Sequence, residues 1–157
     1  MDPDIVTVAK GLGNGFPVGA MLGKKPLIES FQAGSHGSTF GGNPLGMAIV
    51  KAVLDIYEPA FLTTIRTHAD EWVKELKKEL STCSIVKDIR GSGFLIGLET
   101  TVEAQQVIHR CEERGLLLLP AGAHVTRLLP PLTITKQEWK EAQLILKTVL
   151  TDIEQNG

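Results

Sequence analysis

Lys10 follows the strand-like run Asp4-Ile5-Val6-Thr7-Val8-Ala9 and enters the glycine-rich turn Gly11-Leu12-Gly13-Asn14-Gly15-Phe16-Pro17. An amine presented at the end of a buried strand, with no bulky residue after it, suits a nucleophile that forms a Schiff base. It must attack as the free amine, which partial desolvation favours. Glycines beside it let the backbone approach a flat ligand closely. The same spacing also fits a solvent-facing lysine before a turn. Arg127 sits in Val125-Thr126-Arg127-Leu128-Leu129, an otherwise mostly apolar strand. An arginine there costs free energy to bury unless it is paired. Its planar fork suits a bidentate carboxylate, and a structural ion pair or an edge position fits the same pattern. Ser38 ends the small-residue loop Ala33-Gly34-Ser35-His36-Gly37-Ser38, and with Thr39 it makes a Ser-Thr pair in a glycine-rich stretch. Such a pair is ordinarily a turn former, although hydroxyls and free backbone N–H groups together can also donate to a dianion.

The elements that must hold these residues can be read from periodicity. A strand over 4–9 precedes the lysine turn, and Val18 to Gly23 reads as a second short strand. Pro26 to Phe31 suggests a brief helix. Asn43 suits an N-cap rather than a ligand, and Pro44 suits the first helical position. Leu45, Ala48, Ile49, Ala52, Val53 and Ile56 then share one helical face. Glu58-Pro59 interrupts that helix. Phe61, Leu62, Ile65, Ala69, Trp72, Val73, Leu76 and Leu80 mark a long amphipathic helix, with Glu71, Lys74, Lys77 and Lys78 on its solvated face. Ile85 to Arg90 and Phe94 to Glu99 read as strands around a Gly91-Ser92-Gly93 turn. Thr100 with Glu103, and Thr135 with Glu138, have capping-box spacing. Gly115 fits the end of the helix that carries Val107, Ile108 and Cys111. Leu116 to Leu119 and Val125 to Leu129 read as short strands, and a last helix is lined by Trp139, Ala142, Ile145, Leu146, Val149 and Ile153. We expect the boundary of a compact α+β domain, with one sheet face covered by helices, at Glu58-Pro59: residues 1–58 end a larger α/β domain and 59–157 form the small one.

Nucleotide motifs are not satisfied. Phe16 occupies the third glycine position of a G-x-G-x-x-G turn, Ile96 does so after Gly91, and Lys25 replaces the hydroxyl residue of a phosphate-binding loop. The 157 residues are enough for a real core in one or two domains. A net charge of −2 makes no electrostatic case for nucleic acid or an anionic membrane surface. No apolar run is long enough to span a bilayer. Cys83 and Cys111 lack metal-ligand spacing and read as reduced thiols of a cytoplasmic protein. His36, His68, His109 and His124 are scattered without a metal pattern.

Three blocks, in order, carry a resemblance. Pro3 to Ala20, Gly37-Ser38-Thr39-Phe40-Gly41-Gly42-Asn43-Pro44-Leu45, and Arg127-Leu128-Leu129-Pro130-Pro131-Leu132 resemble the lysine segment, the segment after it and the carboxylate-binding strand of the class III aminotransferases. The likeness is to the branch that handles N-acetylornithine and ornithine. It implies a fold type I architecture with pyridoxal 5′-phosphate (PLP) as cofactor, and no metal. Lys10 would be the residue that binds PLP covalently. Thr39, with Ser38, would reach the cofactor phosphate of a neighbouring subunit in a homodimer, and Arg127 would bind a substrate carboxylate. The implied reaction is transamination of N-acetylornithine with 2-oxoglutarate in arginine biosynthesis, with ornithine, succinylornithine or 4-aminobutyrate as alternative donors. The resemblance also implies a C-terminal fragment of a longer enzyme, with little or no activity alone. A catalytically inert piece that acts only as a self-associating or interaction domain is the competing expectation.

Overall fold

The computed structural model describes residues 2–156. The described chain is mixed α/β and divides into two compact units, the first running to Leu62 and the second starting at Thr63.

In the first unit, β1 (Ile5–Val8) and β2 (Ala20–Gly23) form an antiparallel ribbon with Ile5 opposite Gly23 and Val8 opposite Ala20. The strand before Lys10 is therefore not buried as the sequence suggests. Ile5 is 51% exposed, because a two-stranded ribbon cannot bury its own faces and needs a further layer to cover them. After the four-residue helix α1 (Lys25–Ile28), the chain runs through an exposed loop to α2 (Pro44–Ile56). Asn43 caps α2 as its sequence indicates, accepting from the Gly46 N–H at 2.7 Å, with Pro44 at the start. The expected apolar face of α2 is only partly used. Val53 is buried, whereas Leu45 and Ile56 are exposed.

In the second unit, the sheet order is β3-β4-β6-β5, antiparallel throughout: β3 (Val86–Ser92), β4 (Leu95–Thr100), β5 (Leu119–Pro120) and β6 (Val125–Leu128). β4 and β6 alternate cleanly, whereas β3 joins that pattern only after a register shift between Val86 and Asp88. Ile89, Ile96, Leu98, Thr100, Thr126 and Leu128 are buried, while Arg90, Gly97, Glu99, Val125 and Arg127 lie on the opposite, open face. Three helices supply the rest of the core: α3 (Pro59–Glu79) with Ile65, Ala69, Trp72 and Leu76, α4 (Ala104–Glu112) with Ala104, Val107 and Cys111, and α5 (Lys136–Asn156) with Trp139, Leu146, Val149, Leu150 and Ile153. At its centre Trp72 stacks on Trp139 at 5.0 Å and on Phe94 at 5.2 Å.

The two capping boxes part company. Thr135 and Glu138 close theirs at α5: the Thr135 N–H and hydroxyl both donate to Glu138 Oε2 at 2.7 Å, and the Glu138 N–H donates to Thr135 Oγ1 at 3.2 Å. The backbone bond from Thr135 holds the Glu138 carboxyl below its usual range. The Thr100–Glu103 box does not form. Thr100 is committed to β4, and its hydroxyl donates to the Val102 carbonyl at 2.9 Å, while Glu103 precedes α4 without a side-chain cap. Leu116 to Leu118 is likewise not a strand. Gly115 (φ 83°) ends the helical segment, with Leu116 N–H bonded to the Cys111 carbonyl at 2.9 Å. Pairing then starts only at Leu119. The β3–β4 turn is also tighter than expected, because Ser92 pairs with Leu95 and leaves Gly93 (φ 57°) and Phe94 as its two central residues.

Burial pushes the Cys111 thiol from an ordinary 9.0 up to about 11. An unfolded chain gives up that proton first. The neutral thiol's contribution to stability is thus whole below about pH 9 and lost as pH rises through about 11. Denaturant midpoints should fall over that window, and Cys111→Ala should flatten the fall. At pH 8, a thiol reagent should label half-buried Cys83 well before Cys111.

Candidate functional site

The lysine turn is built by its backbone. Lys10 opens a 3₁₀ turn (Lys10–Leu12) with φ 52°, a left-handed conformation rare for a non-glycine residue. Its carbonyl accepts from the Gly13 and Asn14 N–H groups, each at 3.1 Å, which fixes that conformation. Holding lysine there costs about 1–2 kcal/mol, and strain of this kind collects where a side chain must be aimed. Gly13 is obligatory: a Cβ there would lie 2.3 Å from the Phe16 carbonyl oxygen. Phe16 in turn lies against α2 beside Gly46, where a Cβ would sit 3.2 Å from its ring. Lys10, Gly11, Asn14, Gly15, Phe16, Pro17 and Val18 surround an open hollow of about 400 Å³.

Among the described residues Lys10 Nζ has no ion pair or hydrogen bond, unlike the nearby lysines. Lys24 pairs with Asp2 at 2.8 Å and Asp4 at 3.0 Å, and Lys25 with Glu29 at 3.5 Å. Lys10 is exposed, so the desolvation expected of it is not supplied by these residues.

Ser38 and Thr39 stand exposed on the loop that leads into α2. Ser38 shapes the turn, its carbonyl accepting from the Gly41 N–H at 3.2 Å. Neither hydroxyl has a partner among the described residues. A cofactor bearing an aldehyde and a phosphate dianion needs a free amine and uncommitted donors, and Lys10, Ser38 and Thr39 fit those two needs.

Arg127 belongs to the second unit, on the open sheet face. It pairs in register with Gly97 of β4 and Leu119 of β5. Gly97 has no side chain to fill the space beside it, and Arg90, Leu95, Gly97, Val125 and Arg127 line a hollow of about 500 Å³. Arg127 Nε is buried without a hydrogen-bond partner, and Arg127 makes no ion pair among the described residues. A structural ion pair, the competing sequence reading, is thus not made by the described residues. Sequence reasoning missed Arg90, which donates to Asp88 at 2.9 Å and Glu99 at 2.7 Å on the same face. The only hint was strand alternation, because cross-strand register is invisible in a linear sequence.

The histidines stay outside these sites. His68 stacks on Trp72 at 5.4 Å, His109 pairs with Glu113 at 3.5 Å, His124 Nδ1 lies 3.0 Å from the Val102 carbonyl, and His36 meets Phe31 edge-on. No cluster of metal-ligating side chains occurs among the described residues, and no described helix is long and apolar enough to cross a membrane.

The profile of the family described as "Aminotransferase class-III" matches residues 1–150. The chain is 54% identical over 151 residues to acetylornithine aminotransferase of Halalkalibacterium halodurans, covering 96% of this chain and 39% of that protein. Its fold is similar to Plasmodium falciparum ornithine delta-aminotransferase, with a TM-score of 0.92 at 28% identity over 99% of this chain and 42% of that one. It is also similar to acetylornithine aminotransferase from Elizabethkingia anophelis, with a TM-score of 0.87 at 28% identity over 97% and 42%. The chain spans about two fifths of the length of the curated relatives it matches.

Proposed function

This chain belongs to the class-III aminotransferases, and we propose that it supplies the cofactor lysine and a carboxylate-binding sheet to an enzyme that moves an amino group between an amino acid and a 2-oxo acid. Family members depend on PLP, which when bound supplies a carbonyl that captures amines and a ring that withdraws electrons from the substrate Cα. Lys10 Nζ would hold the cofactor covalently, and Thr39, with Ser38, would donate to its phosphate across a homodimer interface. The same Lys10 Nζ, as a free amine, would take the proton from the substrate Cα. Arg127 grips a substrate carboxylate with its fork and so orients the bond that breaks.

The observation that carries this reading is the Lys10 amine, unpaired among the described residues and held on a strained turn inside a family match over residues 1–150. We assign N-acetylornithine as donor on the names of the curated relatives, and with it, as the sequence resemblance implies, 2-oxoglutarate as acceptor in a cytoplasmic enzyme of arginine biosynthesis. Ornithine, which appears in the names of similar structures, is the alternative donor. The full-length protein, supplied with PLP and 2-oxoglutarate, should make glutamate faster from N-acetylornithine than from ornithine or 4-aminobutyrate. No glutamate from any of these amines would refute the assignment.

Arg127→Lys separates recognition from structure. Lysine keeps the charge and loses the bidentate fork. A charged hydrogen bond is worth about 1.5–3 kcal/mol, so kcat/KM should fall roughly ten- to hundredfold while PLP binding holds. Unchanged kinetics with a lower melting temperature would assign Arg127 to structure.

A further inference from the structure

The open sheet face places one carboxylate between two arginines. Arg90 on β3 and Arg127 on β6 are both paired with Gly97 of β4, so the two arginines flank a residue without a side chain. They stand two strand spacings apart, roughly 10 Å. Glu99 lies two residues along β4, opposite Asp88 on one side and Val125 on the other. It is therefore the diagonal neighbour of both arginines, a separation that long side chains bridge. Glu99 makes one choice. It accepts from Arg90 at 2.7 Å, and Asp88 accepts from the same Nη1 at 2.9 Å. Arg127 is left with a buried, unpartnered Nε.

We propose that Arg90 is a positioning residue: by holding Glu99, with Asp88 as its second partner, it keeps Glu99 off Arg127 and leaves the Arg127 fork open to an external carboxylate. The proposal rests on the reading of Arg127 as a carboxylate binder and adds what keeps that residue available. An unpaired guanidinium beside an uncommitted carboxylate would otherwise close on it, because opposite charges on a shared sheet face attract. Arg90 holds the competitor Glu99 with one charge-assisted hydrogen bond, while Asp88 accepts the other and anchors Arg90 on its own side of the face. The Gly97 gap keeps the approach to Arg127 open without a side chain between them.

The test uses arginine side chains labelled with 15N in the full-length protein, with the Arg127 Nε–H signal assigned by its loss in Arg127→Lys and glutarate as the probe. Glutarate should move the Arg127 signal in the parent protein. Arg90→Met should move it without any glutarate, as Glu99 swings across, and should weaken glutarate binding roughly two- to fivefold. Adding Glu99→Gln to Arg90→Met should return both the signal and the affinity. A purely structural role for Arg90 would not be rescued by losing a second charge. Glu99→Gln alone should shift Arg90 and leave Arg127 in place, which tests the same point if Arg90→Met does not fold. An unmoved Arg127 signal in Arg90→Met, no rescue by Glu99→Gln, or a shifted Arg127 in Glu99→Gln alone overturns the positioning role. Glutarate that leaves Arg127 untouched in the parent protein counts instead against the carboxylate reading of Arg127.

Discussion

Lys10→Ala in the full-length enzyme should remove transamination almost completely, by about a thousandfold or more. On the proposed role two functions would be lost together: the covalent hold on the cofactor and the proton transfer at the substrate Cα, the latter alone worth about 10²–10⁴. The backbone offers an internal control. Lys10 sits at φ 52°, where alanine is strained no more than lysine, so the turn should survive through the Gly13 and Asn14 bonds to the residue-10 carbonyl. The melting temperature of the cofactor-free protein should therefore hardly change. Lys24→Ala, which breaks surface pairs with Asp2 and Asp4, should leave turnover near the parent level. Equal losses from the two substitutions would mean that the amine of Lys10 has no special role.

The largest expected effect on stability lies in the core of the second unit. Trp139 is 1% exposed and stacks on Trp72 at 5.0 Å with an interplanar angle of 9°. Trp139→Ala should cost about 3–5 kcal/mol, through lost burial and the cavity left behind. Domains are held by only about 5–15 kcal/mol, so the second unit should lose its near-ultraviolet signal at much lower urea. Trp139→Phe should cost less. It keeps an aromatic face for Trp72 and removes an indole Nε1–H that has no partner among the described residues. The chain has only two tryptophans, so fluorescence reports this stack directly. A urea midpoint unchanged in Trp139→Ala would mean that the stack is not the centre of the core.

What the sequence revealed followed from local rules. Asn43-Pro44 announced the start of α2, because a cap and a first-turn proline are read within four residues. Thr135 and Glu138 announced α5 for the same reason. The helical stripes through Trp72 and Trp139 were visible too, but nothing local said that the two rings would meet. Thr100 shows where local reasoning fails: its spacing to Glu103 is right for a capping box, yet strand pairing claims the residue first. The burial expected of the strand before Lys10 failed for another reason. An apolar run says that a strand can be covered, not that a cover lies within the same chain. Of the candidate residues, Lys10, Thr39 and Arg127 were named from chemistry and from likeness to a family. Arg90 and Glu99 were not, because their relation to Arg127 exists only through the register of three strands.

The most direct test of the account is where the cofactor attaches. The full-length protein loaded with PLP should be reduced with borohydride, digested and mapped by mass spectrometry. The account predicts a pyridoxyl group on Lys10, in the peptide that contains Gly11-Leu12-Gly13. A label on Lys24 or Lys25, or none on this segment, would contradict it.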